Sequence, residues 1–237
     1  CKEFEVEMAK NALPSTTDAP KRKRKRMMSD AEVITILICF HFNSYRNFKH
    51  YYLGCVRIHW KHLFPQTFSY NRFVEVMPRC FVAMTMFLRL ACFGECTGIS
   101  FVDSTCIPVI HNKRQFNMKV FKDIAAKGKS TMGWYVGFKL HLLCNEKGEL
   151  INFVLTRANV DDRNEVVIDK LTDRVFGKLY ADKGYISQSL FGHLWDDGIH
   201  IVTGLRSNMK QRLMPFYDKM MLRKRSIIES INDMLKN

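Results

Sequence analysis

Hydrophobic positions recur with two different periods along this chain, helical before Gly98 and strand-like after it. Ser29 and Glu32 form a Ser-x-x-Glu capping box, and Val33, Ile34, Leu37, Ile38 and His41 follow at helical spacing. A second helix is predicted over Phe48–Leu63, with Tyr52, Cys55, Val56, His59 and Trp60 on one stripe and Pro65 to break it. Ser69 can cap a third helix carrying Phe73, Val76 and Met77; Pro78 bends or ends it, and a further helix covers Arg79–Phe93. Beyond Gly98, Ile99–Val109 reads as a strand. Met132–Cys144 is a second, with Trp134, Val136, Phe138, Leu140 and Leu142 alternating onto one face. Glu146-Lys147-Gly148 is a turn that returns the chain as Leu150–Leu155, so these two strands are expected to form a hairpin. Then come a helix over Asp162–Phe176, a short strand Leu179–Ala181, a helix capped by Ser187 and running to Asp196, a strand Ile199–Thr203, and one final amphipathic helix, Lys219–Lys236. The pattern divides the chain into an arm at 1–26, an all-helical domain at 27–97 and an α/β domain at 98–237.

Charge narrows the partners. Lys and Arg total 37 against 23 for Asp and Glu, a formal net charge of +14. Such an excess favours polyanions, because neutralising phosphates releases condensed counterions. A membrane surface would also attract this charge, but the apolar run Val33–Phe42 is too short to span a bilayer and Cys80–Phe93 is interrupted by Arg89. The eight cysteines follow apolar faces and do not form a dense disulfide framework. The lone Cys-x-x-x-Cys of Cys92 and Cys96 lacks the second pair that a structural zinc site needs. Residues 1–20 show no periodicity, and Lys21, Arg22, Lys23, Arg24, Lys25 and Arg26 form an unbroken basic run, which reads as a flexible linker, a non-specific phosphate contact or a nuclear address. In the helical region, Tyr70, Asn71 and Arg72 could open the reading helix of a helix-turn-helix; an ordinary helical bundle fits the same pattern.

Three carboxylates carry the candidate chemistry. Asp103 lies in Phe-Val-Asp-Ser-Thr, Asp182 in Leu-Tyr-Ala-Asp-Lys-Gly-Tyr, and Glu229 in Arg-Lys-Arg-Ser-Ile-Ile-Glu. Acids on neighbouring strands and one helix can converge on hard divalent ions such as Mg²⁺ or Mn²⁺. Phosphoryl transfer needs that arrangement more than covalent help from side chains. Other residues keep two readings each. Lys139 and His141 share a strand face and either line a DNA channel or sit on an exposed sheet. Asp161 and Asp162 either add charge near the metals or cap a helix. Trp134 either stacks a displaced base or fills the core. Lys183, in the tight turn after Asp182, is a candidate phosphate contact.

These motifs together resemble bacterial insertion-sequence transposases with a DDE catalytic domain. The resemblance rests on Gly98-Ile-Ser-Phe-Val-Asp-Ser-Thr105, Lys127–His141, Asn159-Val-Asp-Asp162, Leu179–Tyr185, and a final helix with Arg225, Glu229 and Lys236 at the family spacing. Leu222 stands where the family signature carries Tyr. The resemblance implies a ribonuclease H-like mixed sheet with flanking helices, preceded by the helical domain. It implies Asp103, Asp182 and Glu229 as catalytic metal ligands for Mg²⁺, with Mn²⁺ as the alternative. Arg225 and Lys236 would contact DNA phosphates. The partners it implies are double-stranded DNA, as terminal inverted repeats and target, and a second copy of the chain; a bacterial, nucleoid-associated location follows. Family members continue past the acidic helix, so the catalytic domain is expected to be incomplete at its C-terminal end. Two alternatives stay open: a related nuclease that cuts without joining, and a DNA-binding remnant without turnover.

Overall fold

The computed structural model describes residues 27–117, 119–130, 133–210 and 213–236. It divides into two compact units, one ending at Ala91 and the other beginning at Cys92. In the first unit, helix α1 is Asp30–His41. Its capping box forms as expected: Ser29 accepts from the Glu32 amide, and the Glu32 carboxylate accepts from the Ser29 backbone N–H. Helix α2, Phe48–His50, is capped by Asn47 and continues as a π-helix over Tyr51–His59. The anticipated regular helix is thus wider over most of its length. Tyr51 and Tyr52 are both fully buried there, and their hydroxyls donate to the carbonyls of Ile36 and Phe68. Helix α3, Tyr70–Val76, is capped by Ser69. Pro78, which lacks an N–H, ends it in a 3₁₀ turn Met77–Cys80 before α4, Phe81–Phe87, and a π-helical turn Leu88–Cys92. One core joins these elements, with Val33, Ile36, Tyr51, Tyr52, Val56 and Phe73 at its centre.

The second unit is built on a six-stranded mixed sheet. Its strands are β1 (Ile99–His111), β2 (Ala126–Ser130), β3 (Gly133–Asn145), β4 (Leu150–Arg157), β5 (Gly177–Ala181) and β6 (Ile199–Thr203). Strand β3 lies antiparallel to β1 along one edge. On its other edge it pairs with β2 and then with β4. Strands β5 and β6 extend the sheet from β1 as parallel neighbours. The β3–β4 hairpin forms around the anticipated Glu146–Gly148 turn, where Gly148 takes φ +84°. Strand β2 was not anticipated, because Ala-Lys-Gly-Lys-Ser offers no apolar alternation.

Helices α5 (Glu165–Thr172), α6 (Gln188–Asp196), α7 (Phe216–Lys224) and α8 (Ser226–Lys236) accompany the sheet. Asn164, not Asp161 or Asp162, caps α5. Alternation of side chains sets up two cores. Val102, Leu143 and Leu179 pack with Ile168, Leu171, Leu190 and Leu194 of α5 and α6. Phe101, Leu142 and Tyr180 pack with Met221 of α7 and Ile228 of α8. The expected single final helix is two: the chain breaks at Arg225, whose amide closes α7 on the Met221 carbonyl.

Candidate active site

Strand register places the first two acids. Gly177 begins β5 at φ +82°, and a Cβ there would lie 2.5 Å from the Gly98 carbonyl oxygen. This close approach, open only to glycine, lets the Lys178 amide donate to that carbonyl at 2.9 Å. Phe101 then stands beside Tyr180 in the parallel pair. Asp103 and Asp182 each lie two residues further on, and a two-residue step returns a side chain to the same face. The β1–β5 pairing stops at Phe101, so the two carboxylates stand where the strands diverge. Asp182 itself has extended backbone, and the 3₁₀ turn Lys183–Tyr185 follows at once.

Helix α8 supplies the rest. Ile228 is fully buried against the sheet and sets the helix rotation. Glu229 and Asn232, three residues apart, occupy neighbouring positions on one face. The Arg225 guanidinium lies between the three acids: 3.6 Å from an Asp103 oxygen, 3.9 Å from Asp182 and 2.5 Å from Glu229. Asn232, 3% exposed, donates from Nδ2 to Asp103 Oδ2 at 2.8 Å. Among the described residues its own Oδ1, which is buried, has no hydrogen-bond partner. Burial pushes the Asp103 carboxyl up to about 6, against the opposing pull of Arg225, the Ser104 amide and Asn232. Glu229 and Asp182 are about half exposed. The group therefore grades from a sheltered acid on β1 to two solvent-facing ones.

Other anticipated residues fall elsewhere. Lys139 is 15% exposed and committed, bonded to Asp162 at 3.0 Å and to the Val160 carbonyl at 2.8 Å. His141 is wholly buried on the same strand face, 3.0 Å from the Thr156 hydroxyl, and burial pulls it down to about 4, so it is neutral. Asp161 holds Arg163 at the surface. Lys183 is exposed, and its carbonyl accepts from Arg206. Arg72 lies on α3 of the first unit, paired with Glu75. Trp134 is 54% exposed, not a core residue. The basic run Lys21, Arg22, Lys23, Arg24, Lys25 and Arg26, and the side chain of Lys236, lie outside the described residues. Asn232 was missed from sequence; the signal available was its i,i+3 spacing from Glu229.

The donor set suits a hard cation. Three carboxylates and one carboxamide are oxygen ligands of the kind Mg²⁺ and Mn²⁺ take, and a cationic guanidinium already stands among the acids. The triad spreads around that group and does not contract to the spacing of ligands on one ion. Among the described residues, a trio with ligand atoms within 4.8 Å of one another is Asp169, His193 and Asp197, at the surface of α5 and α6.

The family model of the transposase DDE domain matches residues 93–237, which is more than half of the 237-residue sequence. The chain therefore belongs to the DDE-domain transposase family. A search of curated proteins finds no match. Among solved structures, this chain is similar to the piggyBac transposase in a synaptic complex with hairpin DNA, at 14% identity and TM-score 0.49 over 90% of this chain and 48% of that one. It is also similar to Mos1 transposase in a paired-end complex with the left transposon end, at 12% identity and TM-score 0.27 over 84% of this chain and 65% of that one. Mos1 in its strand transfer complex gives 10% identity and TM-score 0.29 over 96% and 77%. The chain thus spans about half the length of the piggyBac transposase chain and just under two thirds of the first Mos1 chain.

Proposed function

We propose that this chain is a DNA transposase that binds transposon ends, cleaves DNA in a metal-dependent reaction and transfers the freed strand to target DNA. The observation that carries this reading is the grouping of Asp103, Asp182 and Glu229 around one guanidinium, inside the segment that matches the DDE domain. The strand order, with the first acid on a central strand and the second on its parallel neighbour, supports a ribonuclease H-like arrangement for the sheet. Asp103, Asp182 and Glu229 would hold Mg²⁺ or Mn²⁺, which when bound supplies the charge that activates an attacking oxygen and stabilises a leaving one. Asn232 fixes the Asp103 carboxylate. Arg225 balances three negative charges and is released toward DNA phosphates when that balance is supplied otherwise. Lys183, in the turn after Asp182, adds a phosphate contact near the acids, and Lys236 a further one to DNA. The helices of residues 27–91, with Arg72 exposed on α3, and the basic run 21–26 supply further DNA contacts. Two ends must be handled together, which favours a homodimer on DNA. A bacterial, nucleoid-associated location accompanies this reading.

The test is a cleavage and joining assay with end-labelled DNA and Mg²⁺ or Mn²⁺. Labelled strands joined to target are the expected product, and Asp103→Asn, Asp182→Asn and Glu229→Gln each abolish it while DNA binding persists. Nicking without joined product would favour a nuclease. Salt-sensitive binding with no metal-dependent product would favour a remnant without turnover.

A further inference from the structure

The row Trp134, Val136, Phe138, Leu140 and Leu142 lies on one face of β3, the face that also carries Asp103, which stands directly opposite Leu142. Most of this row is covered; Val136 is 4% exposed. Trp134 ends it in the open, at 54% exposure. Burying an indole is strongly favourable, so a half-exposed one at the end of a covered row is an unspent binding surface. Lys129 is its direct cross-strand partner and Lys127 lies two residues earlier on β2, on the same face. Their ammonium groups stand 5.8 Å and 4.8 Å from the ring centroid. Among the described residues neither lysine is paired with a carboxylate. Both ammonium groups rest over the indole in cation–π contacts and are held by no carboxylate among those residues, so a phosphate can draw them off the ring and leave its plane to a base; that pairing of cations with an aromatic plane matches a nucleotide. Bases inside a duplex keep their faces stacked on one another, so a lone indole can take only an unpaired base.

Position supports the same ligand. Trp134 is eight residues along β3 from Leu142. At about 3.3 Å per residue this is about 26 Å of strand, the rise of about eight nucleotides of duplex. DNA engaged at the acids and passing over the elements that cover this row would reach Trp134 within about one helical turn.

We propose that Trp134, Lys127 and Lys129 form a stacking platform for an unpaired base of a DNA strand engaged at the acids. The platform rests on the transposase reading and adds a site to it. The test is titration of the full chain with oligo(dT) of about 16–20 nucleotides, and separately with a duplex of equal length, in EDTA so that no turnover is needed. Subtracting the emission of Trp134→Phe from that of the wild type isolates this indole from Trp60 and Trp195. Saturable quenching of that difference by oligo(dT), and much less by duplex, is expected. Trp134→Ala weakens oligo(dT) binding about 5- to 100-fold and duplex binding less than about threefold. Lys127→Gln and Lys129→Gln each lower the salt slope for the single strand by about 0.7. Oligo(dT) binding with silent Trp134 emission, duplex binding without oligo(dT) binding, or an equal loss of both ligands in Trp134→Ala, overturns the platform alone. Failure to bind either ligand overturns the transposase reading with it. Trp134 is exposed, and an unchanged melting profile of each variant confirms that a loss of binding is not a loss of fold.

Discussion

Replacing Asp103 by Asn is expected to make the metal-free protein more stable while removing its metal affinity. The folded chain holds the Asp103 proton up to about pH 6, against an ordinary value of 3.8. That difference of about two units corresponds to about 3 kcal/mol at 1.36 kcal/mol per unit. Folding is favoured most below about pH 4, where both folded and unfolded chains carry the proton. This contribution is lost as pH rises from about 4 through 6, where the folded state must hold a sheltered charge. An Asn amide stays neutral throughout and avoids that loss. In EDTA at pH 8, Asp103→Asn is therefore more stable by up to about 3 kcal/mol, or about 6–12 °C in melting temperature for a unit of this size. Below pH 4 the two proteins converge. Adding Mg²⁺ reverses the order at pH 8, because binding to the native state stabilises only the wild type. Urea unfolding followed by hydrogen exchange in β1 and β3 reads the second unit by itself. An Asn variant equal to or weaker than wild type at pH 8 in EDTA, or a difference that does not shrink toward pH 4, refutes the reasoning.

Two further substitutions probe the supports of the site. His141 is buried and neutral, pulled from 6.5 down to about 4 mainly by burial. Its stabilising contribution is present above pH 6.5 and lost as pH falls through 4, so wild type loses about 3 kcal/mol relative to His141→Gln across that window; paired urea titrations at pH 7 and pH 4 measure it, and a pH-independent difference contradicts it. Gly177→Ala forces a Cβ to within 2.5 Å of the Gly98 carbonyl at φ +82°, so it costs about 2 kcal/mol or more and shifts β5 against β1; exchange protection at Lys178 falls in the variant, and unchanged protection there contradicts the register argument.

The parts that sequence reveals best are those with local causes. Ser29 with Glu32, Ser69 and Ser187 cap the helices anticipated for them, because each cap is a bond between near neighbours. The alternating row from Trp134 to Leu142 lies on a strand as anticipated, although β3 is buried on both faces, with Tyr135, His141 and Leu143 opposite that row. What escaped sequence reading depends on partners far away. Strand β2 is held by its pairing to β3, which supplies the order that Ala-Lys-Gly-Lys-Ser lacks. The π-helix of Tyr51–His59 follows from placing two adjacent tyrosines in one core, with hydroxyls reaching Ile36 and Phe68. The break at Arg225 separates two helices that a helical wheel merges, and it puts the guanidinium among the acids instead of on a continuous basic face. Lys139, a strand cation from sequence, is consumed by Asp162, a partner 23 residues away.

The central claim is that Asp103, Asp182 and Glu229 share divalent ions. Iron-directed backbone cleavage tests it most directly: Fe²⁺ with ascorbate and peroxide cuts the chain where it is bound, and Mg²⁺ or Mn²⁺ should suppress those cuts by competition. The account predicts cuts in β1 near Asp103, after β5 near Asp182 and in α8 near Glu229, all three fading together in Asp103→Asn. Cuts confined to α5 and α6 around Asp169, His193 and Asp197, or none that Mg²⁺ suppresses, would contradict it.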